Sequence, residues 1–438
     1  MESEPLLEKA ISVLAQNDRG DHTVPAKDLY PHQWLWDSCF ISIGLRHYDL
    51  VRAQQELLSL LKGQWSNGML PNMILSRDKG AVRHKPELWQ SNLSPYSPDN
   101  VPTSGITQPP MLAEAVVKIG KKLPLRERRS WYRRMYKSLV KYHEWLYYER
   151  DPHNEGLSLQ IHSWETGLDN TPPWMNELHE HQQPFWIRFV HATKLEFIFT
   201  LLRKDRKFAL PGERLSTLDG LILYSIQRRL RRKNYDLKRI INHSQVAIED
   251  LTFNCILIRG NKMLQSIAKT LGEDLPDELV KRMHKTEAAL EDLWDDATGQ
   301  YYSRNFASHE LLKIPSIATL MPLYAGCISK ERAKQLVNLL KSPAYDTRYP
   351  IPTVPANSEW FKPKVYWQGP TWINTNWLVI QGLERYGFTE EAAHITEKSI
   401  KLVEKSGFCE YFSPKDGSPV GADDFSWTAA LIIDLLKS

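Results

Sequence analysis

The stretch SWYRRMYKSLVKYHEWLYYERD, residues 130–151, indicates the fold class of this 438-residue chain. Its apolar side chains recur every three or four residues, which is the period of a helix with one buried face. Eleven further segments, counting the N-terminal one, have the same period, whereas YYSRNF (301–306) is the best candidate for a strand. The sequence therefore predicts an all-α protein with about twelve helices.

Long aromatic-rich segments alternate with short connections between these helices. The four long ones are LYPHQWLWDSCF (29–40), SWETGLDNTPPW (163–174), PTVPANSEWFKPKVYWQGPTW (352–372) and CEYFSPKDGSPVGADDFSW (409–427). No low-complexity linker divides the chain, and no fixed-period repeat supports a helical solenoid. A ring of helical hairpins with its long loops gathered at one end accounts for the alternation. We therefore predict a single (α/α)6-barrel domain covering residues 1–438.

The composition is that of an ordinary globular protein, with 42% hydrophobic and 25% charged residues. The formal net charge of +4 is too small to indicate a nucleic acid or a membrane surface as partner. The basic run IQRRLRRKNYDLKR (226–239) keeps a helical apolar period, so we interpret it as a solvated helix face. The chain has no run of 18 or more apolar residues, which argues against a transmembrane helix.

A cytoplasmic protein with reduced thiols is expected. The N-terminal residues lack the basic and apolar regions of a secretory signal, and the four cysteines contain no CxxC pair. The two histidines of HEH (179–181) have no third ligand at useful spacing, so neither a metal nor another cofactor is expected. Homo-oligomerisation stays open, because an assembly face looks like any other helix surface.

Ten of the 15 tryptophans lie in or beside the four long segments. Any one of them could belong to the core, but surface loops are not where a core lies. A tryptophan ring has a flat apolar face that stacks on a sugar ring, and neighbouring acids and amides can bind the sugar hydroxyls. The pattern indicates a sugar-binding pocket.

Hydrolysis of a glycosidic bond needs two carboxyl groups, one to protonate the leaving oxygen and one to activate water. The segment SWETGLDNTPPW offers Glu165, which could instead hold the loop, and Asp169, which could instead form a turn or a helix cap. Glu410 could instead form a helix-terminal salt bridge, and Asp37 could cap a helix or bind two sugar hydroxyls. The residues alone leave these alternatives open.

Five motifs, in order along the chain, resemble glycoside hydrolase family 63 and within it the small branch of mannosylglycerate and glucosylglycerate hydrolases. They are YPHQWLWDSCF (30–40), GITQPP (105–110), SWETGLDNTPPWM (163–175), YWQGPTWINTNWLVIQGL (366–383) and EYFSPKDG with FSWTAA (410–430). The segment AIEDLTFNCIL (247–257) also fits the family pattern. The resemblance implies an inverting α-glycosidase on an (α/α)6 barrel, which needs no metal or organic cofactor.

The resemblance also implies roles for individual residues. Asp169 corresponds to the general acid in the family's E-S/T-G-x-D motif, and Glu410 corresponds to the general base that opens its late E-Y motif. The other matching positions belong to the sugar-binding pocket and are Tyr30, Trp34, Trp36, Asp37, Gln108, Trp367, Gln368 and Trp372.

Residues 77–99 are expected to form a mobile lid that gates the pocket and excludes water. In the branch that this chain resembles the leaving group is glycerate, whose carboxylate needs cationic or hydroxyl partners. The lid segment offers several such side chains, and the sequence does not choose among them: Arg77, Arg83, His84, Lys85 and Tyr96.

The function expected is hydrolysis of a small α-glucoside or α-mannoside, with glucosylglycerate or mannosylglycerate as first choice. A trehalase or another disaccharide α-glucosidase is the alternative enzyme. Two further alternatives use the same barrel, namely a sugar epimerase or polysaccharide lyase with a His or Tyr base, and a sugar-binding protein without catalysis. For the hydrolase the expected partner is a small sugar molecule.

Overall fold

The computed structural model describes residues 4–76, 85–181, 183–201, 213–241 and 246–438. The α-helices of these ranges are α1 (Glu4–Asn17), α2 (Leu35–Leu45), α3 (Leu50–Leu60), α4 (Pro86–Trp89), α5 (Leu112–Gly120), α6 (Leu125–Arg150), α7 (Pro172–Glu180), α8 (Phe185–Ala192), α9 (Glu196–Leu201), α10 (Thr217–Arg232), α11 (Leu237–Ile241), α12 (Leu251–Leu271), α13 (Asp277–Ala289), α14 (Pro322–Ala325), α15 (Lys330–Leu340), α16 (Ile373–Tyr386), α17 (Thr389–Ser406) and α18 (Ser426–Lys437).

The β-structure of the described ranges consists of short antiparallel pairs. They are β1 (Gln33–Trp34) with β2 (Met73–Ile74), β3 (Ile248–Glu249) with β6 (Arg304–Asn305), β4 (Trp294–Asp295) with β5 (Gln300–Tyr301), and β7 (Tyr411–Phe412) with β8 (Pro419–Val420). The strand expected at 301–306 is therefore the end of β5 followed by β6.

Within the described ranges, six helices form a closed inner ring. In ring order they are α2, α5, α12, α14, α16 and α18; each packs against the next, and α18 packs against α2. Helices α1, α3, α6, α13, α15 and α17 pack on the outside of this ring. Two concentric rings of six helices make an (α/α)6 barrel, so the predicted fold class is confirmed.

Residues 29–40 do not form the long loop expected from the sequence, because α2 begins at Leu35 and ends at Leu45. All of its residues are buried. A helix that is buried on every side has no polar face and hence no amphipathic period that a sequence pattern could reveal. The inner helix α12, Leu251–Leu271, includes most of the family-like segment 247–257 and most of the helix expected at 261–274.

Helices α7 to α11 are an insertion between the barrel helices α6 and α12. Within it α10 packs on α8 and α9, and also on α4. The Arg231 guanidinium donates to the backbone oxygens of Glu87 and Leu88 at 3.4 and 3.3 Å, and the Tyr235 hydroxyl donates to the backbone oxygen of Trp89. We call α4 together with α7–α11 the cap.

The basic run of α10 is only partly exposed to solvent. Ile222, Leu223 and Leu230 are buried, whereas Arg228 is half-buried and Arg232 is exposed. The four cysteines of the chain form no disulfide. Among the described residues, we find no helix with the length and apolar character that crossing a bilayer requires.

The barrel closes where the two ends of the chain meet. The Asn17 amide donates to the Ser426 hydroxyl at 2.9 Å, and the Ser426 backbone N–H donates to the Pro25 oxygen at 2.8 Å. Beyond this junction α2 packs directly on α18. A Cβ atom on Gly44 would lie 2.5 Å from the Cα and carbonyl oxygen of Ala430, so only glycine permits this approach.

We expect Gly44→Ala to destabilise the protein by about 1–3 kcal/mol, because the added methyl meets backbone that cannot move without separating α2 from α18. Thermal unfolding followed by circular dichroism measures the effect. Gly220→Ala is the matched control, since a Cβ there meets nothing within 4 Å and alanine favours a helix. An equal change in both variants would contradict this account of the closure.

Candidate active site

The N-terminal ends of the inner helices α2 and α18 face a cavity of about 760 Å³. Asp37 lies in the first turn of α2, and Trp427 lies in the first turn of α18. Eight of the ten residues expected at the site line this cavity: Tyr30, Trp34, Trp36, Asp37, Gln108, Asp169, Trp367 and Glu410. The cap completes the wall with residues that include Leu88, Phe199, Leu221 and Tyr224. Helix N-termini carry partial positive charge, which favours carboxylates at this end of the ring.

Trp367 lines the cavity, whereas Trp372 lies behind it. The two indole rings stack with centroids 3.7 Å apart and planes at 6°, and Trp372 also stacks on Tyr411 at 4.5 Å. Trp36 lies next to Trp367 and Trp427, with centroid distances of 6.4 and 5.5 Å. Trp372 therefore fixes the orientation of the aromatic wall, and the faces open to a ligand belong to its neighbours.

The remaining pocket residues are held by the loop ends around the ring. The Gln108 side-chain oxygen accepts from the Trp36 backbone N–H at 3.4 Å. Tyr30 and Trp34 contact each other edge to face, with ring centroids 6.0 Å apart. Both rings border the cavity, so this part of the wall is mostly apolar, with the Gln108 amide and the Tyr30 hydroxyl set into it.

Two roles were expected for Glu165, and in the structure it holds the loop. Its carboxylate is fully buried and accepts from the Arg150 guanidinium at 2.7 Å, from the Ile161 N–H at 2.8 Å and from the Thr107 N–H at 3.3 Å. These bonds join the irregular segment 163–174 to the loop that carries Gln108. Asp169 therefore provides the carboxyl group of this segment that lines the cavity.

Asp169 follows a glycine that the aromatic wall requires. Gly167 has φ +74°, and a Cβ on it would lie 2.5 Å from the Trp36 ring. The segment 163–174 can therefore pass close to the Trp36 ring, which places the Asp169 carboxyl at the cavity. The Tyr366 hydroxyl donates to Asp169 Oδ2 at 3.1 Å.

Gln368 supports the Asp169 loop from outside the cavity. Its amide nitrogen donates to the Asn170 carbonyl oxygen at 3.1 Å, and its side-chain oxygen accepts from the Lys362 ammonium at 3.0 Å. The Trp367 backbone N–H donates to the Asn170 side-chain oxygen at 2.9 Å. Gln368 thus holds the loop that carries Asp169. Its amide faces Asn170 and does not line the cavity.

Glu410 is 1% exposed and lies where the loop before β7 reaches the cavity. Its Oε1 accepts from the Tyr30 hydroxyl at 2.8 Å and its Oε2 accepts from the Ala422 N–H at 3.0 Å. A Cβ on Gly421, which has φ +82°, would lie 2.5 Å from Oε2. The loop therefore wraps this carboxylate closely.

Arg214 is a cavity residue that the sequence did not reveal. It precedes the Ser216 cap of α10 and carries no motif or apolar period that could have marked it. Its guanidinium pairs with the Glu410 carboxylate and donates to the Tyr30 hydroxyl at 2.5 Å. It also lies over the Tyr366 ring, 4.9 Å from the centroid. Burial is the largest single effect and opposes its charge, but Glu410 and the neighbouring tyrosines together outweigh burial and raise the pKa of Arg214 well above its ordinary value.

Asp37 is the third carboxyl of the cavity. Burial raises its pKa well above the ordinary value, and the negative charges of Glu410, Asp169 and Glu56 raise it further. Its own backbone N–H acts in the opposite direction but does not offset burial. Folding therefore shifts Asp37 toward its neutral form, and a protonated carboxyl can donate a hydrogen bond to a sugar hydroxyl as well as accept one.

The described part of the expected lid segment, from Lys85 onward, contributes α4 to the cap. Lys85 and Tyr96 are exposed and do not line the cavity, whereas Leu88 does. Arg77, Arg83 and His84, the other candidates for binding a carboxylate, lie outside the described residues.

The described residues include no group of three or more His, Cys, Asp or Glu side chains arranged to hold a metal ion. His179 of the HEH motif pairs instead with Asp219 at 2.8 Å, which raises its pKa. This contact joins α7 to α10 within the cap.

Comparison with known proteins finds relatives that match nearly the whole chain. The family described as "Mannosylglycerate hydrolase MGH1-like glycoside hydrolase domain" matches residues 30–428. A mannosylglycerate hydrolase of Thermus thermophilus is 38% identical over 97% of this chain and 99% of its own length. A glucosylglycerate hydrolase of Mycolicibacterium hassiacum is 30% identical over 98% and 97%, respectively.

A solved structure is similar over the same extent. It is a family 63 mannosylglycerate hydrolase from Thermus thermophilus in complex with Tris and D-glycerate. It superposes with a TM-score of 0.88 and 37% identity, covering 98% of this chain and 99% of that chain.

We expect Asp37→Asn to stabilise the unliganded protein increasingly as the pH rises above about 4. An Asp whose pKa is raised by folding stabilises the protein below its unfolded pKa, and this contribution is lost as the pH rises toward the folded pKa. The loss amounts to about 1.4 kcal/mol per pH unit, and Asn does not titrate. Melting temperatures of both proteins from pH 4 to pH 8 measure it.

Asp28→Asn is the control, because Asp28 is exposed. A difference between Asp37→Asn and wild type that stays constant with pH would show that Asp37 is ionised throughout.

Proposed function

Because the chain belongs to the Mannosylglycerate hydrolase MGH1-like family of glycoside hydrolases, we propose that it hydrolyses a small α-glycoside of glycerate, with mannose or glucose as the sugar. The observation that carries this proposal is one cavity that holds the carboxyls of Asp169 and Glu410 together with the guanidinium of Arg214. The first two supply acid and base, and the third supplies a positive charge for an anionic leaving group.

The sugar ring stacks on the aromatic wall formed by Trp36, Trp367 and Trp427. Indole faces match the C–H faces of a pyranose ring, and all three line the cavity. Asp37 and Gln108 set polar groups into this wall and bind the sugar hydroxyls. A concave apolar site with a few converging polar groups is the usual form of a small-ligand pocket.

Asp169 is the general acid and Glu410 the general base. The acid protonates the glycosidic oxygen while the base takes a proton from a water that attacks the anomeric carbon from the opposite face. Attack from the opposite face inverts the anomeric configuration. The Tyr366 hydroxyl, 3.1 Å from Asp169 Oδ2, orients the acid. This chemistry uses only side chains of the chain itself.

Arg214 binds the glycerate carboxylate. A guanidinium offers two parallel N–H donors that match a carboxylate, and Arg214 reaches the cavity from the cap side. Burial of a guanidinium in a sugar pocket favours an acidic leaving group over the neutral second sugar of trehalose. The trehalase alternative therefore has less support than the glycerate glycosides.

The cap forms a lid over the cavity. Leu88 of α4 and Tyr224 of α10 line its mouth, and both are more than a third exposed. Apolar side chains at the mouth exclude water once they close over a ligand. We assign the enzyme to the cytoplasm, where its four free thiols would stay reduced.

Release of sugar from α-mannosylglycerate, α-glucosylglycerate and trehalose tests the proposed substrate class. We expect a glycerate glycoside to be hydrolysed far faster than trehalose. Asp169→Asn and Glu410→Gln should each lower kcat by roughly 10²–10⁴-fold with the fold retained, which is the usual contribution of a general acid or base. Glu404→Gln, at an exposed position of α17, is the control. Faster turnover of trehalose would reject the glycerate assignment and keep the site.

Proton NMR during the first minutes of turnover tests inversion. An α-glycoside should release the β-anomer of the sugar first, with the α-anomer appearing only by mutarotation. Initial release of the α-anomer would mean that one carboxyl acts as a nucleophile, which contradicts the assignment of Glu410 as a base for water.

A further inference from the structure

The Glu410 carboxylate is fully occupied by donors of the protein. Oε1 accepts from the Tyr30 hydroxyl at 2.8 Å and from Arg214 Nη1 at 3.3 Å. Oε2 accepts from the Ala422 N–H at 3.0 Å and from Arg214 Nη2. A carboxylate has about four lone-pair positions, so these contacts leave none for the water that a general base must deprotonate. In this arrangement Glu410 is held in an ion pair with Arg214 and has no acceptor position free for water.

Of these donors, the Arg214 side chain is the one that can leave. The Ala422 N–H belongs to a tightly wrapped loop, and Tyr30 packs edge to face on Trp34 and Phe425. The backbone beside Arg214 is held, because the Glu213 oxygen accepts from the Tyr366 N–H and the Tyr411 hydroxyl at 3.1 and 3.0 Å. The long side chain beyond it can turn without moving the loop.

Three tyrosine rings surround the Arg214 guanidinium. Its carbon lies 4.9 Å from the centroid of Tyr366, 5.7 Å from that of Tyr30 and 5.9 Å from that of Tyr411. Cation–π contact is tolerant of small rotations, so the side chain can shift within this cage while it keeps part of its stabilisation. Tyr366 and Tyr30 also line the cavity in which a ligand would lie.

We propose that Arg214 is a latch on the general base, opened by the carboxylate of the substrate's own leaving group. Resting on the function proposed above, the leaving-group carboxylate draws the guanidinium away from Glu410 and pairs with it. The two freed positions on Glu410 then accept the attacking water. Arg214 thereby determines specificity, because it controls the base as well as binding the substrate.

The charge balance explains why only an acidic leaving group opens the latch. With glycerate, the guanidinium exchanges one carboxylate for another and stays paired. With a neutral leaving group, the same movement would leave a buried carboxylate and a buried guanidinium without partners, which is strongly unfavourable. Neutral glycosides are therefore bound beside a closed base and react slowly.

The latch makes a prediction that simple binding of glycerate by Arg214 does not make. An α-mannosyl or α-glucosyl fluoride has a small leaving group that needs little acid catalysis, and its hydrolysis depends on the base. We expect free D-glycerate to accelerate hydrolysis of the fluoride by wild type by roughly 10-fold, a usual size for coupling between two ligands. Methyl glycerate has the same hydroxyls without the charge and should not accelerate it.

Arg214→Met removes the charge and keeps much of the side chain's length. This variant should hydrolyse the fluoride faster than wild type without any addition, and glycerate should no longer change its rate. Arg214→Lys keeps the charge but lacks the planar fork of parallel N–H donors that a guanidinium offers, and it should respond partly to glycerate. Arg228→Met is the matched control on α10, since Arg228 lies outside the cavity.

The outcomes separate the latch from the function on which it rests. Acceleration of wild type by glycerate, together with a fast and unresponsive Arg214→Met, supports the latch. A wild type that cleaves the glycerate glycoside but whose fluoride hydrolysis ignores or is inhibited by glycerate overturns the latch alone. A folded Arg214→Met that is slower than wild type on the fluoride also overturns it. A wild type that cleaves neither kind of substrate overturns both proposals.

Discussion

Closure of the inner ring is the constraint on which the rest of the structure depends. The first and the last inner helices, α2 and α18, lie at opposite ends of the chain, and they meet with backbone almost in contact at Gly44 and Ala430. Because the ring closes there, Asp37 at the start of α2 and Glu410 in the segment between α17 and α18 border the same cavity. The chemistry of the site is thus a consequence of how the barrel is sealed.

A closed ring also concentrates charge at one end. The N-termini of α2 and α18 lie at the cavity and favour negative groups, while burial opposes ionisation of each carboxyl there. These opposing effects separate the carboxyls by environment. Asp37 is pushed toward its neutral form, whereas Glu410 is paired with a guanidinium. Sites that hold neighbouring carboxyls in different protonation states are well suited to acid–base chemistry.

The cap contributes a charged side chain to this site. The insertion between α6 and α12 supplies the Arg214 guanidinium that contacts the proposed base. The barrel therefore provides the carboxyls and the aromatic wall, and the cap provides the positive charge that we propose binds an anionic leaving group.

The sequence by itself predicted helices of both rings, because amphipathic periods are local patterns. Clustered tryptophans with acids, together with the family resemblance, identified eight of the residues that line the cavity. The sequence left α2 undetected, since a helix buried on all sides has no period. Only the tertiary structure decided which of two nearby residues faces the cavity, because neighbours in sequence face opposite sides of a folded loop. The cavity takes Asp169 and not Glu165, and Trp367 and not Trp372. Arg214 was invisible for the same reason: its role comes from contact with Glu410, and ring closure with cap docking creates that contact between residues far apart in the chain.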